Sequence, residues 1–375
     1  MNTLVAIGGI ALLLIVLRDA FETIILPRRV QRRFRLTSLF YRSSWRLWRG
    51  IATHFPGKVR QSSLSWYGPL SLLVLLALWA FSIIVAFGAL HWAAGSALAM
   101  QGPPAGFLDD LYFSGTTFFT LGLGDVVPRV PVSKFLAVIE SGLGFAFLAI
   151  IIGYLPVIYQ AFSRREITIS LLDARAGSPP SAGELLRRQS AGTEPDALTP
   201  LLAEWERWSA ELLESHLSYP VLAYFRSQHG NQSWLAAVTT MLDTSALLQV
   251  ACDGPCARQA RLTFAMARHA VVDLAQVFSA PQLETLGDRL SEAELAHLIQ
   301  QLGHAGTTLN AAGPRARFSE LRLLYEPYVS ALSQYLALPL PDWTRHSDRP
   351  DNWQGAPWKH VSSKTNPPDH FEPAP

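Results

Sequence analysis

Residues Thr120-Leu121-Gly122-Leu123-Gly124-Asp125 set two glycines at alternate positions behind a threonine, in a stretch that carries no charge from Leu111 until Asp125. Gly122 and Gly124 can adopt φ values closed to other residues, which lets successive carbonyls point the same way. The carbonyls of Thr120, Leu121, Gly122 and Leu123, with the Thr120 hydroxyl, could then replace a cation's hydration shell. Asp125, just outside, either raises the local cation concentration or is a solvated turn residue. Glu140 is the only charge in the apolar run 135–161. It is either a carboxylate buried behind the glycine segment, paired or protonated, or an interfacial structural group. Arg18, Asp19 and Glu22 lie inside or at the edge of the first apolar run, near the N-terminus, and intramembrane charge suggests function by default. Arg18 and Glu22 also have the i, i+4 spacing of a self-neutralising pair.

The elements that must hold these residues follow from composition. Of 375 residues, 49% are apolar and only 16% are charged, and the mean hydropathy is +0.19. Such a chain is neither disordered nor wholly water-soluble. The apolar residues crowd the first 162 positions. A first membrane helix is expected over 1–27, a second from Gly68 to His91 with Pro69 in its first turn, and a third over 135–161, each long enough to cross about 30 Å of hydrocarbon. Between the first two lies the basic segment 28–67, with Arg28, Arg29, Arg32, Arg33 and Arg35 at its start and ten of the 31 Lys and Arg within 28–60. Aromatic and aliphatic residues interleave with the arginines, the pattern of a helix lying among anionic lipid headgroups. The positive-inside rule makes this segment cytoplasmic and the N-terminus external, in a multi-pass protein of the cell membrane. Residues 109–119 are too few to span the bilayer and too apolar for an external loop, so a re-entrant helix with an extended return over 120–124 is expected.

Thr120-Leu121-Gly122-Leu123-Gly124-Asp125 resembles the potassium-channel signature, of which TVGYG is the common form. Tyr112-Phe113 with Thr116 and Thr117 resembles the pore helix of the two-helix pore domain, and the order span, pore helix, filter, span matches over 68–163. The resemblance implies K⁺ as permeant ion, a filter at 120–124, a homotetramer that brings four carbonyl sets around one axis, and passive conduction gated by the third span. Gly142, Gly144, Gly153 and Pro156 are candidate bending points of that inner helix, or, for the glycines, points of close packing. The sequence departs from the pattern at Leu121, at Phe119, where Thr is commoner, and at Leu123, where Tyr or Phe is usual. Leu123 removes a side-chain hydroxyl that braces the filter in the family, which leaves a weakly selective cation channel as one alternative. A membrane-anchored signalling protein with a vestigial pore is the other.

The remainder reads as a linker over 164–181, an all-α cytoplasmic domain over 182–340 and a disordered tail over 341–375. Helices are expected at 183–190, 198–217, 219–228, 231–252, 255–279, 281–303 and 314–338, giving an all-α membrane protein overall. This domain would modulate the gate, coupled through 164–176, for an unidentified regulator. Nothing in it points to catalysis or an enzymatic cofactor. His269 and Asp273 share a helix face, without a metal-binding cluster around them. The net charge of +2 carries no nucleic-acid signature, and the two cysteines, Cys252 and Cys256, exclude a disulfide scaffold.

Overall fold

The computed structural model describes residues 2–26, 35–95, 98–99, 106–190, 195–280, 288–304, 315–344 and 351–354. Arg28, Arg29, Arg32 and Arg33 lie outside them. Among the described residues the fold is all-α apart from one two-residue ladder, and the chain forms two compact units: Met1–Arg164 with Glu211–Arg226, and Arg165–Ala210 with Ser227–Pro375.

The first unit begins with α1 (Asn2–Ile24), which packs on α3 (Gly57–Ala93). A Cβ on Gly9 would lie 3.0 Å from the Ala86 carbonyl oxygen, so the two backbones approach too closely for a larger residue. Asp19 is buried and accepts from the Thr37 backbone N–H and hydroxyl (3.1 and 2.6 Å) and from Trp79 Nε1 (3.1 Å). That carboxylate caps the first turn of α2 (Leu36–Ala52) and ties three helices together. Glu22 pairs with Arg18 at 2.9 Å and faces Arg35 at 3.8 Å. The charges at the end of α1 are therefore joints between helices, and Arg35 is engaged inside the protein instead of lying free at a lipid surface.

α3 starts earlier than its hydropathy suggests, so Pro69 lies inside the helix and not in its first turn. The N-terminal extension is anchored by Leu64 and Tyr67, both buried, which offsets the backbone hydrogen bond that proline removes. After α4 (Phe107–Phe118), a short antiparallel pairing of β1 (Leu98–Ala99) with β2 (Val127–Pro128) closes the connecting loop. α5 (Pro131–Ala176) runs 46 residues, about 69 Å at 1.5 Å per residue, more than twice the hydrocarbon thickness. It passes through Pro156 and absorbs the first half of the expected linker.

The unit is completed from far along the chain. The end of α7 (Thr199–Ser218) leads into a 3-10 turn (Pro220–Tyr224), where an α-helix over 219–228 was expected; Pro220 and the return of the chain at Phe225 keep it short. Tyr224 is enclosed by Tyr41, Trp45 and Tyr67, with ring centroids 5.7, 5.2 and 5.2 Å away. Phe225 meets Phe162 of α5 at 5.6 Å and sits where a Cβ on Gly68 would fall. Arg226 donates to Gln61 Oε1 at 2.8 Å.

The second unit surrounds α8 (Trp234–Ala251), capped by the Ser233 side chain, which accepts from the Ala236 N–H at 3.0 Å. Around it stand α6 (Ala182–Ser190), α9 (Gly254–Val277), α11 (Arg315–Leu323) and α12 (Glu326–Leu336); α10 (Glu292–His304) packs on α6. The expected helix 314–338 is two helices, because Pro327 lacks an N–H and would clash with the Leu323 carbonyl. Part of the expected disordered tail is packed: Trp343 is buried against Phe318 and Arg322, and Asp351 is buried where it accepts from the Ser178 N–H (3.1 Å) and Arg188 Nη2 (2.8 Å). Trp343 is the apolar mass and Asp351 the charge that a low-complexity reading overlooks.

Candidate functional site

The glycine segment is held by α4. Asp109 and Asp110 occupy the first turn, where negative charge complements the helix dipole, and Asp109 accepts from the Gly106 N–H at 2.7 Å. At the other end, the Thr120 N–H donates to the Thr117 carbonyl (3.0 Å) and the Leu121 N–H to the Thr116 carbonyl (2.8 Å). This pair of bonds is a Schellman ending, which requires a left-handed residue at Thr120. Thr120 has φ +56°, followed by Gly122 at +58° and Gly124 at +78°. A β-branched residue in that region costs about 1–3 kcal/mol and persists only where its surroundings impose it. From Thr120 to Gly124 every second residue is thus left-handed, a backbone unlike helix or strand.

The side chains of Leu121 and Leu123 are 60% and 64% exposed, and Phe119 is 60% exposed. One chain leaves the segment uncovered on those sides. Tyr112 donates its hydroxyl to Asp125 Oδ2 at 2.9 Å, joining α4 to the residue just past the glycines. Phe113 is buried against His91 of α3, ring centroids 5.0 Å apart. Thr116 donates its hydroxyl to the Phe113 carbonyl at 2.9 Å, and Thr117 contributes its carbonyl to the helix end.

Of the α5 residues singled out by sequence, Glu140 is fully buried beside Ser114 of α4 and His91 of α3, with His91 Nε2 at 3.3 Å from Oε2. Gly144 is a point of close packing: a Cβ there would lie 1.9 Å from the Phe118 carbonyl oxygen, at the foot of the glycine segment. Gly142 and Gly153 face nothing within 4 Å of such a Cβ. His91 and Ser114 escaped sequence reasoning. The usable signal was that a buried carboxylate needs polar partners at its own depth.

In the second unit, His269 Nε2 lies 3.0 Å from Asp273 Oδ2, and among the described residues no three His, Cys, Asp or Glu side chains gather as metal ligands would. Four helices among the described residues are long and apolar enough to cross a membrane: α1, α3, α5 and α8.

Residues 72–160, from the middle of α3 through α4 to the middle of α5, match the family described as "Ion channel". The uncharacterized membrane protein YdjJ of Bacillus subtilis (strain 168) is 24% identical over 202 residues, 53% of this chain and 57% of the relative. The chain thus spans little more than half the length of the relative it matches. No solved structure matches it significantly.

Proposed function

We propose, from the match of residues 72–160 to an ion-channel family, that the protein is a potassium-selective channel that conducts passively as a homotetramer. The observation that carries this reading is the left-handed alternation at Thr120, Gly122 and Gly124. Such a backbone can turn consecutive carbonyls to one side, where four copies would strip water from K⁺. The exposed Leu121, Leu123 and Phe119 side chains are surfaces for neighbouring copies to cover, and Asp125 draws cations to the outer mouth. Tyr112 supplies from α4 a brace that Leu123 cannot supply from the filter.

The basic segment 28–60 faces anionic lipid on the cytoplasmic side, with Arg42 and Arg46 exposed on α2. The N-terminus is then external and the second unit cytoplasmic. α5 is the inner, gating helix, and the helical unit modulates it along the chain through 164–176 and through 219–226, whose Phe225 packs on Phe162. A weakly selective cation pore is the second reading, favoured by Leu123.

Purified protein in liposomes is expected to pass K⁺ with a reversal potential that tracks the K⁺ gradient in mixed K⁺ and Na⁺. Gly122→Asp should abolish the flux; absence of wild-type flux, or flux that survives this change, overturns the channel reading, and a reversal potential indifferent to the ion overturns selectivity. Tyr224→Ala, which empties the pocket formed by Tyr41, Trp45 and Tyr67, should change open probability severalfold at unchanged reversal potential. Single-channel recording checks it.

A further inference from the structure

Three side chains from three helices meet inside the first unit: His91 of α3, Ser114 of α4 and Glu140 of α5, each at most 1% exposed. Their hydrogen bonds can be counted. Ser114 Oγ lies 2.7 Å from the backbone carbonyl oxygen of Ile84, and it also contacts Glu140 Oε1. A carbonyl has no hydrogen to give, so the contact with Ile84 uses the one hydrogen of the Ser114 hydroxyl. The contact between Ser114 and Glu140 then needs a hydrogen from Glu140. The other carboxyl oxygen accepts from His91 Nε2 at 3.3 Å. His91 Nδ1 is buried with no partner, which suits a bare nitrogen and not a second N–H.

We infer that Glu140 is a carboxylic acid and that a neutral chain of hydrogen bonds, His91 to Glu140 to Ser114 to the Ile84 carbonyl, braces α4 between α3 and α5. The chain leaves α3 at His91 and returns to it at Ile84, so it closes around the pore helix. The alternative proton count fails twice. An ionised Glu140 would take the Ser114 hydrogen and leave two lone-pair oxygens facing each other at 2.7 Å, and it would bury a negative charge with no cation beside it. Asp110 is also buried, one turn before Ser114 on α4, and a second carboxyl on that helix face disfavours charge on Glu140 further. The three residues act as positioning residues: they touch no ion and hold the helix from which 120–124 hangs. That consequence rests on the channel reading; the protonation state does not.

Infrared spectroscopy of the full-length protein in lipid tests the protonation. A carboxylic C=O band should be present in the wild type, shift in D₂O, and vanish in Glu140→Gln. Absence of a band lost with Glu140 overturns the inference whether or not the protein conducts. The brace is read from K⁺ flux. Glu140→Gln preserves every bond, because its amide N–H donates to Ser114 and its carbonyl accepts from His91, so flux and reversal potential should match the wild type. Glu140→Ala and Ser114→Ala break the chain and should lower flux about tenfold or more, the effect of leaving buried partners unsatisfied. Loss in Glu140→Gln equal to that in Glu140→Ala, or no change in either alanine variant, overturns the brace. Should an alanine variant fail to assemble, the infrared band and the glutamine variant still decide.

Discussion

α5 and α8 are both long and apolar enough to cross a membrane, yet 11% of the most apolar window of α5 is buried within the chain against 89% for α8. Phe145, Leu148 and Ile152 of α5 point away from the protein; on α8, Thr239, Thr240, Asp243, Thr244 and Ser245 are fully buried along with the leucines. An apolar helix clad by its own unit is a core, and one left bare needs lipid or other copies of the chain. Each helix also buries an acid in its apolar stretch, Glu140 in α5 and Asp243 in α8, and the two differ in their partners. Asp243 meets the Arg289 guanidinium at 2.8 Å and the Tyr325 hydroxyl at 2.5 Å, so a negative charge there faces a cation. Glu140 meets only a serine and a histidine.

This contrast is broken or sharpened first by removing the two acids. Asp243→Ala takes from the half-buried Arg289 its nearer carboxylate, leaving Glu326 at 3.5 Å, and takes the acceptor of the buried Tyr325 hydroxyl, and should destabilise the second unit by about 3 kcal/mol. Glu140→Ala leaves no ion behind and should cost only about 1–3 kcal/mol. Thermal unfolding of the full-length variants compares them; equal losses would mean that Glu140 is charged too. Next in size is Gly144→Ala, whose methyl collides with the Phe118 carbonyl where α5 meets the end of α4. An overpacking cost of about 1–3 kcal/mol is expected, with loss of K⁺ flux, whereas Gly153→Ala, which meets nothing within the chain, should keep its flux.

The smallest effect concerns Glu184, where burial alone would raise the carboxyl but hydrogen bonds from Arg187 and Arg188 outweigh it and hold the pKa at about 2. A depressed carboxylate pKa stabilises the fold fully above the unfolded value near 4.5 and loses that contribution as pH falls through about 2. Because Arg187 is more than half exposed, about 1–2 kcal/mol is expected after screening. Glu184→Gln should lower the melting temperature at neutral pH by this contribution and remove the further loss that the wild type shows as pH falls from about 4.5 to about 2.

What the sequence made legible follows the same line. α1, α3, α5 and the short α4 announce themselves through long uncharged runs and the alternating glycines, whose physical demands are local. The partners of Glu140 are not legible, since His91 and Ser114 lie 49 and 26 positions away and no spacing rule relates them. Tyr219-Pro220-Val221-Leu222-Ala223-Tyr224-Phe225 reads as the start of a helix over 219–228, and nothing in that pattern discloses that it fills a pocket made by α2 and α3. Pro69 and Pro327 mislead in opposite directions: one lies inside a helix that packing carries through it, and the other divides a helix that periodicity runs together.

The return of residues 211–226 makes the first unit a discontinuous domain. A fragment cut after Arg164 would keep α1 to α4, the glycine segment and most of the apolar part of α5, yet expose the empty seat of Tyr224. The shortest self-sufficient pore therefore needs that stretch restored, and a synthetic peptide of residues 211–226 added in trans is the natural complement to such a fragment.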